Sequence, residues 1–432
     1  MPLLALLFPL QISAAAPTAA ATVTLDDAVG AAIAHHPDVV AAGAQTDVAH
    51  AQARQARAPL LPTLDATGRY GYSWTDSGGS SIDGDVTGSS SGRSGDSYSA
   101  SLSSGLLLWD FGQSVNRYRS AVASSDAAEG DAESVRQSIV LSARVAFFDA
   151  LETRQLIDVA RETLTNQERH LAQTEEFVRI GTHPEIDLAR LRTQVAAARA
   201  ALIRAENDHL TAKATLNRTM GVKRPLDYEV APPTLPALDA EKQDTAQLYA
   251  AAVASRPEYV SARASVRGQE AGVRAARVWF LPSLRLGADA SYSGQDFGDP
   301  TLGASVGVTL NWNLFDGLAS PAATDAARSQ LVIQEARLTG VEQQLWLEVE
   351  QARIGVASSR AELESAEQAV VSARELLRLA EERYSAGVGN SLELSDAQLE
   401  LANASAQRVR VDRDLAAARA QLLRALGRRD WR

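Results

Sequence analysis

The 432-residue chain has no cysteine. Disulfides, thiolate metal sites, a cysteine nucleophile and the lipidated amino-terminal cysteine of bacterial lipoproteins are therefore all excluded. Aromatic residues make up only 5%, thin for a conventional globular core of this length. Beyond the first residues there is no uninterrupted apolar run of ~20, so no helix is suited to span a bilayer. The formal net charge is -11 and no Lys/Arg cluster stands out, which argues against a nucleic-acid surface. Signatures of catalysis are missing as well: G-x-x-x-x-G-K-[ST], G-x-S-x-G and H-E-x-x-H do not occur. The chain reads as a non-enzyme whose energy coupling, if any, comes from partners. His35 and His36 are adjacent, so on a helix they point about 100° apart, a poor chelating arrangement. His50, His170, His183 and His209 lie scattered, and no metal or cofactor is expected.

What the chain does have is long stretches rich in Ala, Leu, Arg, Glu and Gln, a composition of long, closely packed helices. Its start, MPLLALLFPLQISAAAP, joins an apolar run to small residues. Residues 1-21 read as a signal peptide cleaved between Ala16 and Ala21, although the basic n-region is missing. The rest repeats itself. Shifted by 220, residues 25-73 fall on 245-293 without a gap: Pro37 meets Pro257, Leu61-Pro62 meets Leu281-Pro282, Tyr72-Ser73 meets Tyr292-Ser293. Shifted by 206, Leu108 meets Leu314, Asp110 meets Asp316, Gly181 meets Gly387 and Gly221 meets Gly427. The offsets differ by 14 (220 − 206), and the extra residues belong to the run DSGGSSIDGDVTGSSSGRSGDS, a flexible loop by composition. The chain divides into a first repeat, 22-221, a proline-containing connecting segment, 222-244, and a second repeat, 245-432.

Each repeat opens with a short helix, a proline and a second helix, and then carries two period-2 segments. Leu64, Ala66, Gly68, Tyr70, Tyr72 and Trp74 alternate with Asp65, Thr67, Arg69 and Ser73, and the same alternation recurs from Leu284 to Ser293. Strands are expected at about 63-74, 97-109, 283-293 and 301-314, each with one apolar and one polar face. A soluble sandwich with one buried face and a membrane barrel both fit that alternation. The barrel is favoured by polar faces of small or charged residues and by aromatics gathered at strand ends: Tyr72, Trp74 and Tyr98 at one, Trp109, Trp279, Phe280 and Trp312 at the other. Four strands cannot close alone, so several chains have to pool them.

Helix-compatible sequence then runs from about Gln113 to Ile180 and from about Ala319 to Ala386. At ~1.5 Å per residue, ~66 residues give roughly 100 Å. Each run ends at a glycine turn, RIGTHPEIDL or SAGVGNSLEL, and a shorter helix returns. Pro184 suits the first turn of one return; Asn390 and Glu393 have capping-box spacing in the other. The returns carry a 3-4 seam of Leu, Val and Ala with Arg408 as the misfit of the second, which implies coiled-coil packing. A soluble or peripheral coiled-coil scaffold explains that seam, but leaves the strands unexplained.

In order, VTLDDAVGAAIAHHPDVVAA (23-42), LLLWDFG (106-112), NLFDG (313-317) and ERYSAGVGNSLELSDAQLELANA (382-404) resemble the TolC family of bacterial outer membrane efflux channels over essentially the whole chain from Val23. The resemblance implies an α+β membrane protein located in the outer membrane and extending into the periplasm. It implies a homotrimer whose chains give four strands each to a twelve-stranded barrel, continued by a periplasmic helical tunnel. It also implies outer membrane lipid, a periplasmic adaptor and an inner membrane pump as partners, and a passive channel of an efflux or type I secretion system. The family places acids six and nine positions after the second turn glycine, here Glu393 and Asp396; six after the first is Asp187. Such a carboxylate ring would favour cations at a periplasmic constriction, while the same acids also complement helix amino termini. The turns Gly181-Thr182 and Gly387, Gly389 and Asn390 would meet the adaptor. Gly389 stands where related channels carry a latch arginine, with Arg383 or Arg179 as substitutes.

Overall fold

The structure is a computed structural model describing residues 22-75, 93-182, 184-233, 235-294 and 301-428. The expected signal peptide, most of the loop between the first two strands and His183 lie outside the described residues. The elements run β1 (Thr22–Val23), α1 (Leu25–His35), α2 (Pro37–Arg57), β2 (Thr63–Thr75), β3 (Arg93–Trp109), α3 (Gln113–Arg179), α4 (Glu185–Thr219), β4 (Glu229–Val230), α5 (Thr245–Ser255), α6 (Pro257–Arg277), β5 (Ser283–Gly294), β6 (Thr301–Asn311), α7 (Ala319–Ser385) and α8 (Ser391–Ala425). Among the described residues no helix is long and apolar enough to cross a membrane. Two units are distinguished: residues 43-132 with 258-342, and the remainder.

The first of these holds an antiparallel sheet of order β2-β3-β5-β6. Its register puts Leu64 opposite Ser104, Ala66 opposite Leu102, Leu102 opposite Ala290, and Ala288 opposite Val306. Because paired residues share a face, one side is apolar across all four strands; Asp65, Ser103, Asp289 and Ser305 form a row on the other. The apolar side is not covered: Leu64 is 71% exposed, Leu302 80% and Val306 77%. β2 and β5 each run one residue beyond expectation, to Thr75 and Gly294, and two limits differ by more. β3 starts at Arg93 rather than 97, because backbone pairing continues to Thr75–Arg93, and β6 ends at Asn311 rather than 314, the pairing stopping at Ser283–Asn311. Trp312 instead donates its indole N–H to the Phe280 carbonyl at 3.0 Å.

The shared Asp110 and Asp316 start the long helices. Asp110 accepts from Gly112 N (3.1 Å) and Ser114 N (2.7 Å), and Asp316 from Ser320 N (2.9 Å), satisfying amide donors that a helix start leaves orphaned. In the same unit small residues let helices approach closely. A Cβ on Gly268 would lie 3.3 Å from Ala123 Cβ, and Ser261 and Arg267 on α6 reach Asp131 (2.6 Å) and Asp126 (3.3 Å) on α3. This packing explains how a chain poor in aromatics still holds together.

The second unit has separate cores. β1 pairs in parallel with β4, over a cluster of Val23, Phe147, Phe148, Leu216, Met220 and Tyr228. Another gathers Leu248, Val349, Val356, Leu415, Leu422 and Leu426. A third, small one lies beside the α7–α8 turn.

Candidate functional site at the hairpin tips

The α3–α4 and α7–α8 turns are built alike. Thr182 N bonds to Phe177 O (2.9 Å) and Gly181 N to Val178 O (3.0 Å); Val388 N bonds to Arg383 O and Gly387 N to Tyr384 O, both at 3.1 Å. This pattern needs a left-handed residue, supplied by Gly181 (φ 80) and Gly387 (φ 73). The first turn is closed further by Thr182 Oγ1 donating to Phe177 O.

At the return, Pro184 is the cap preceding α4 rather than part of its first turn. Asn390 caps α8, its Oδ1 accepting from Glu393 N at 2.7 Å. The Glu393 carboxylate does not complete a capping box: it takes the Arg383 guanidinium at 3.0 Å. Arg179 is occupied by Glu176, so of the two substitutes for a latch arginine only Arg383 reaches one of the expected gate acids. Gly389 also has a steric reason, for a Cβ there would sit 2.9 Å from Tyr384 N and 3.0 Å from Arg383 C. No side chain, arginine included, fits this turn without moving its backbone.

Asp396 is exposed and Asp187 half-buried; among the described residues neither is hydrogen-bonded to Glu393. What binds the two hairpins is a set of residues the sequence did not single out. Tyr384, 1% exposed, shares a 2.9 Å hydrogen bond with Thr174, and its ring meets His170 edge-on at 5.0 Å and Phe177 at 5.9 Å. Burial pushes the Tyr384 hydroxyl's pKa up and the Asp187 charge adds to it, against the Thr174 hydrogen bond, which lowers it. Ser395 adds a bond to Gln194 at 3.2 Å, while Arg192–Glu175 (3.3 Å) and Arg199–Glu168 (3.0 Å) tie α4 back to α3. The one sequence signal was the His170/Thr174 spacing of four, which sets two polar side chains on one helix face. Among the described residues no group of three His, Asp or Glu is placed to hold a metal ion.

The chain is 26% identical to the pyoverdine export outer membrane protein OpmQ of Pseudomonas putida, over 93% of this chain and 85% of that one. It is 28% identical to the alkaline protease secretion protein AprF of Pseudomonas aeruginosa, over 81% and 73%. Its fold matches the Campylobacter jejuni CmeC outer membrane channel with a TM-score of 0.79 at 17% identity, covering 93% of this chain and 85% of that one. The pattern of the family described as outer membrane efflux protein fits residues 28–222 and 248–428, and the chain belongs to that family of the outer membrane.

Proposed function

We propose that three copies pool their strands into one twelve-stranded barrel, continued into the periplasm by a helical tunnel that ends at the hairpin tips. The chain is an outer membrane exit duct for efflux or type I secretion. The observation that supports the trimer is the β2-β3-β5-β6 sheet, with an exposed apolar face, a polar opposite face and a strand at each side without a second neighbour among the described residues. Lipid does not tolerate open sheet edges, so β2 of one copy pairs with β6 of the next until the sheet closes. The exposed apolar residues Leu347 and Ile354 on α7 and Ile203 and Leu210 on α4 supply surface for neighbouring copies.

In this reading Asp187, Glu393 and Asp396 of three chains form a carboxylate ring that favours cations at the inner end. The Arg383–Glu393 pair braces the α7–α8 turn, and the Tyr384–Thr174 bond keeps the two hairpins together. A periplasmic adaptor, meeting the turns at Gly181, Thr182, Gly387, Gly389 and Asn390, loosens them, and an inner membrane pump supplies the energy. The test is the particle mass of protein extracted from outer membranes. Three copies per particle, heat-dissociable, are expected; a monomer in the soluble periplasmic fraction would overturn the proposal.

A further inference from the structure

Among the described residues, one buried cation of the helical unit has no carboxylate in ion-pair contact. Lys213 on α4 is 4% exposed, and among the described residues its ammonium makes a single contact, with the Tyr228 ring at 4.8 Å. The Arg224 guanidinium stacks on the same ring at 3.8 Å, and its Nη2 is buried without an acceptor. Tyr228 is fixed between α4 and the connecting segment, its O–H donating to the Lys213 carbonyl at 3.1 Å. One turn earlier on α4, His209 is 6% exposed; its Nδ1 meets Thr153 Oγ1 at 3.1 Å, and its Nε2 is buried and unpartnered. Burial, and after it the charge of Lys213, lowers the His209 pKa, while the charge of Glu229 acts in the opposite direction. Glu229 is half-exposed and lies 3.7 Å from Arg154.

The second repeat shows what that position takes. The residue 206 positions on is Arg419, 14% exposed, whose Nε donates at 2.7 Å to Glu241, a carboxylate only 6% exposed that comes from the chain just after the connecting strand β4. Beside Lys213 the same connecting segment places a second cation, Arg224, and the Tyr228 ring, while its Glu241 is taken by Arg419. A buried charge left unpaired is costly. A cation–π contact with the ring quadrupole does not neutralise the charge as a carboxylate would.

We propose that Lys213 and Arg224, around Tyr228, form a binding site for a small oxyanion, a phosphate or carboxylate group, that takes the place Glu241 holds beside Arg419. The net charge of -11 speaks against an extended polyanion surface, but not against a single buried site.

The experiment is thermal unfolding of the purified full chain in detergent, titrated with inorganic phosphate or with acetate against chloride at matched ionic strength. A ligand of the native state raises the midpoint saturably. The site predicts such a rise with at least one anion, phosphate or acetate identifying the group, weakened tenfold or more in Lys213→Met and in Arg224→Leu and kept in Arg419→Met. Arg224 is only half-buried, so its variant decides if Lys213→Met fails to fold. No saturable rise with either anion, or an undiminished rise in Arg224→Leu, overturns the proposal. So does a Lys213→Met protein more stable than the wild type in chloride while the wild type ignores both anions.

Discussion

In the first repeat α4 ends and the chain turns through Gly221 onto the carbonyl of His35; in the second α8 ends and Gly427 turns onto that of Ser255, where added Cβ atoms would lie 2.5 and 2.8 Å away. The paired helices have equal lengths: 11 residues for α1 and α5, 21 for α2 and α6, 67 for α3 and α7, 35 for α4 and α8. Their end contacts differ. Arg256, 2% exposed, reaches Glu348 at 2.8 Å and the α8 carbonyls of Arg424 and Ala425, where the first repeat has His36, whose Nδ1 accepts from the nearby Asp38 N. At the tips, Arg383 holds Glu393 while Asp187 lies near Tyr384 of the other hairpin. Helix length and turn geometry are backbone matters that both copies solve once. The polar contacts at helix ends are where the copies specialise, and the candidate gate and the unpaired Lys213 both belong there.

The largest effect is expected where the repeats share a face. Val306→Arg puts a charge on the apolar side and costs about 2–4 kcal/mol per copy near a bilayer midplane, so membrane trimers on unheated gels should nearly vanish. Ser305→Arg, on the polar row, should assemble normally; equal loss from both would break the two-faced reading. Next come the turns. Gly427→Ala adds a backbone clash to ~1–2 kcal/mol of left-handed strain and should destabilise by about 3 kcal/mol or more. Gly387→Ala, with nothing within 4 Å of its Cβ, should cost only the strain, read from urea midpoints.

Tyr384→Phe keeps the ring and orphans Thr174, a loss of about 1 kcal/mol that should show chiefly as a larger, noisier conductance. The smallest effect is electrostatic. Hydrogen bonds from Arg353 and then Thr245 hold Glu350 down at about 2 from 4.5. A depressed carboxylate stabilises the fold above its unfolded value and loses that contribution as pH falls. Between about pH 4.5 and 2, wild type should therefore lose stability more steeply than Glu350→Gln.

Much of the fold was legible because its periods are strong. Two-residue alternation marked the four strands, and long proline-poor runs marked α3 and α7 to within a residue. β3 began earlier than its pattern because Arg93 to Asp96 pair through the backbone, where Ser and Gly give no apolar signal. The tip was half legible. Asn390 and the two glycines follow from turn chemistry, but the Tyr384–Thr174 bond spans 210 residues and no local period announces it. Gly389 read as a missing arginine, whereas packing against Tyr384 N is what requires it.

The central claim is a cation-favouring pore gated at the hairpin tips. It is tested most directly by single-channel conductance of the purified protein in a planar bilayer, with a trivalent cation added on the tip side, for wild type and for Glu393→Gln/Asp396→Asn. Small cation-selective currents that the ion blocks in wild type but not in the double variant are predicted. A correctly folded trimer that conducts nothing, or whose block survives the loss of both acids, would contradict the account.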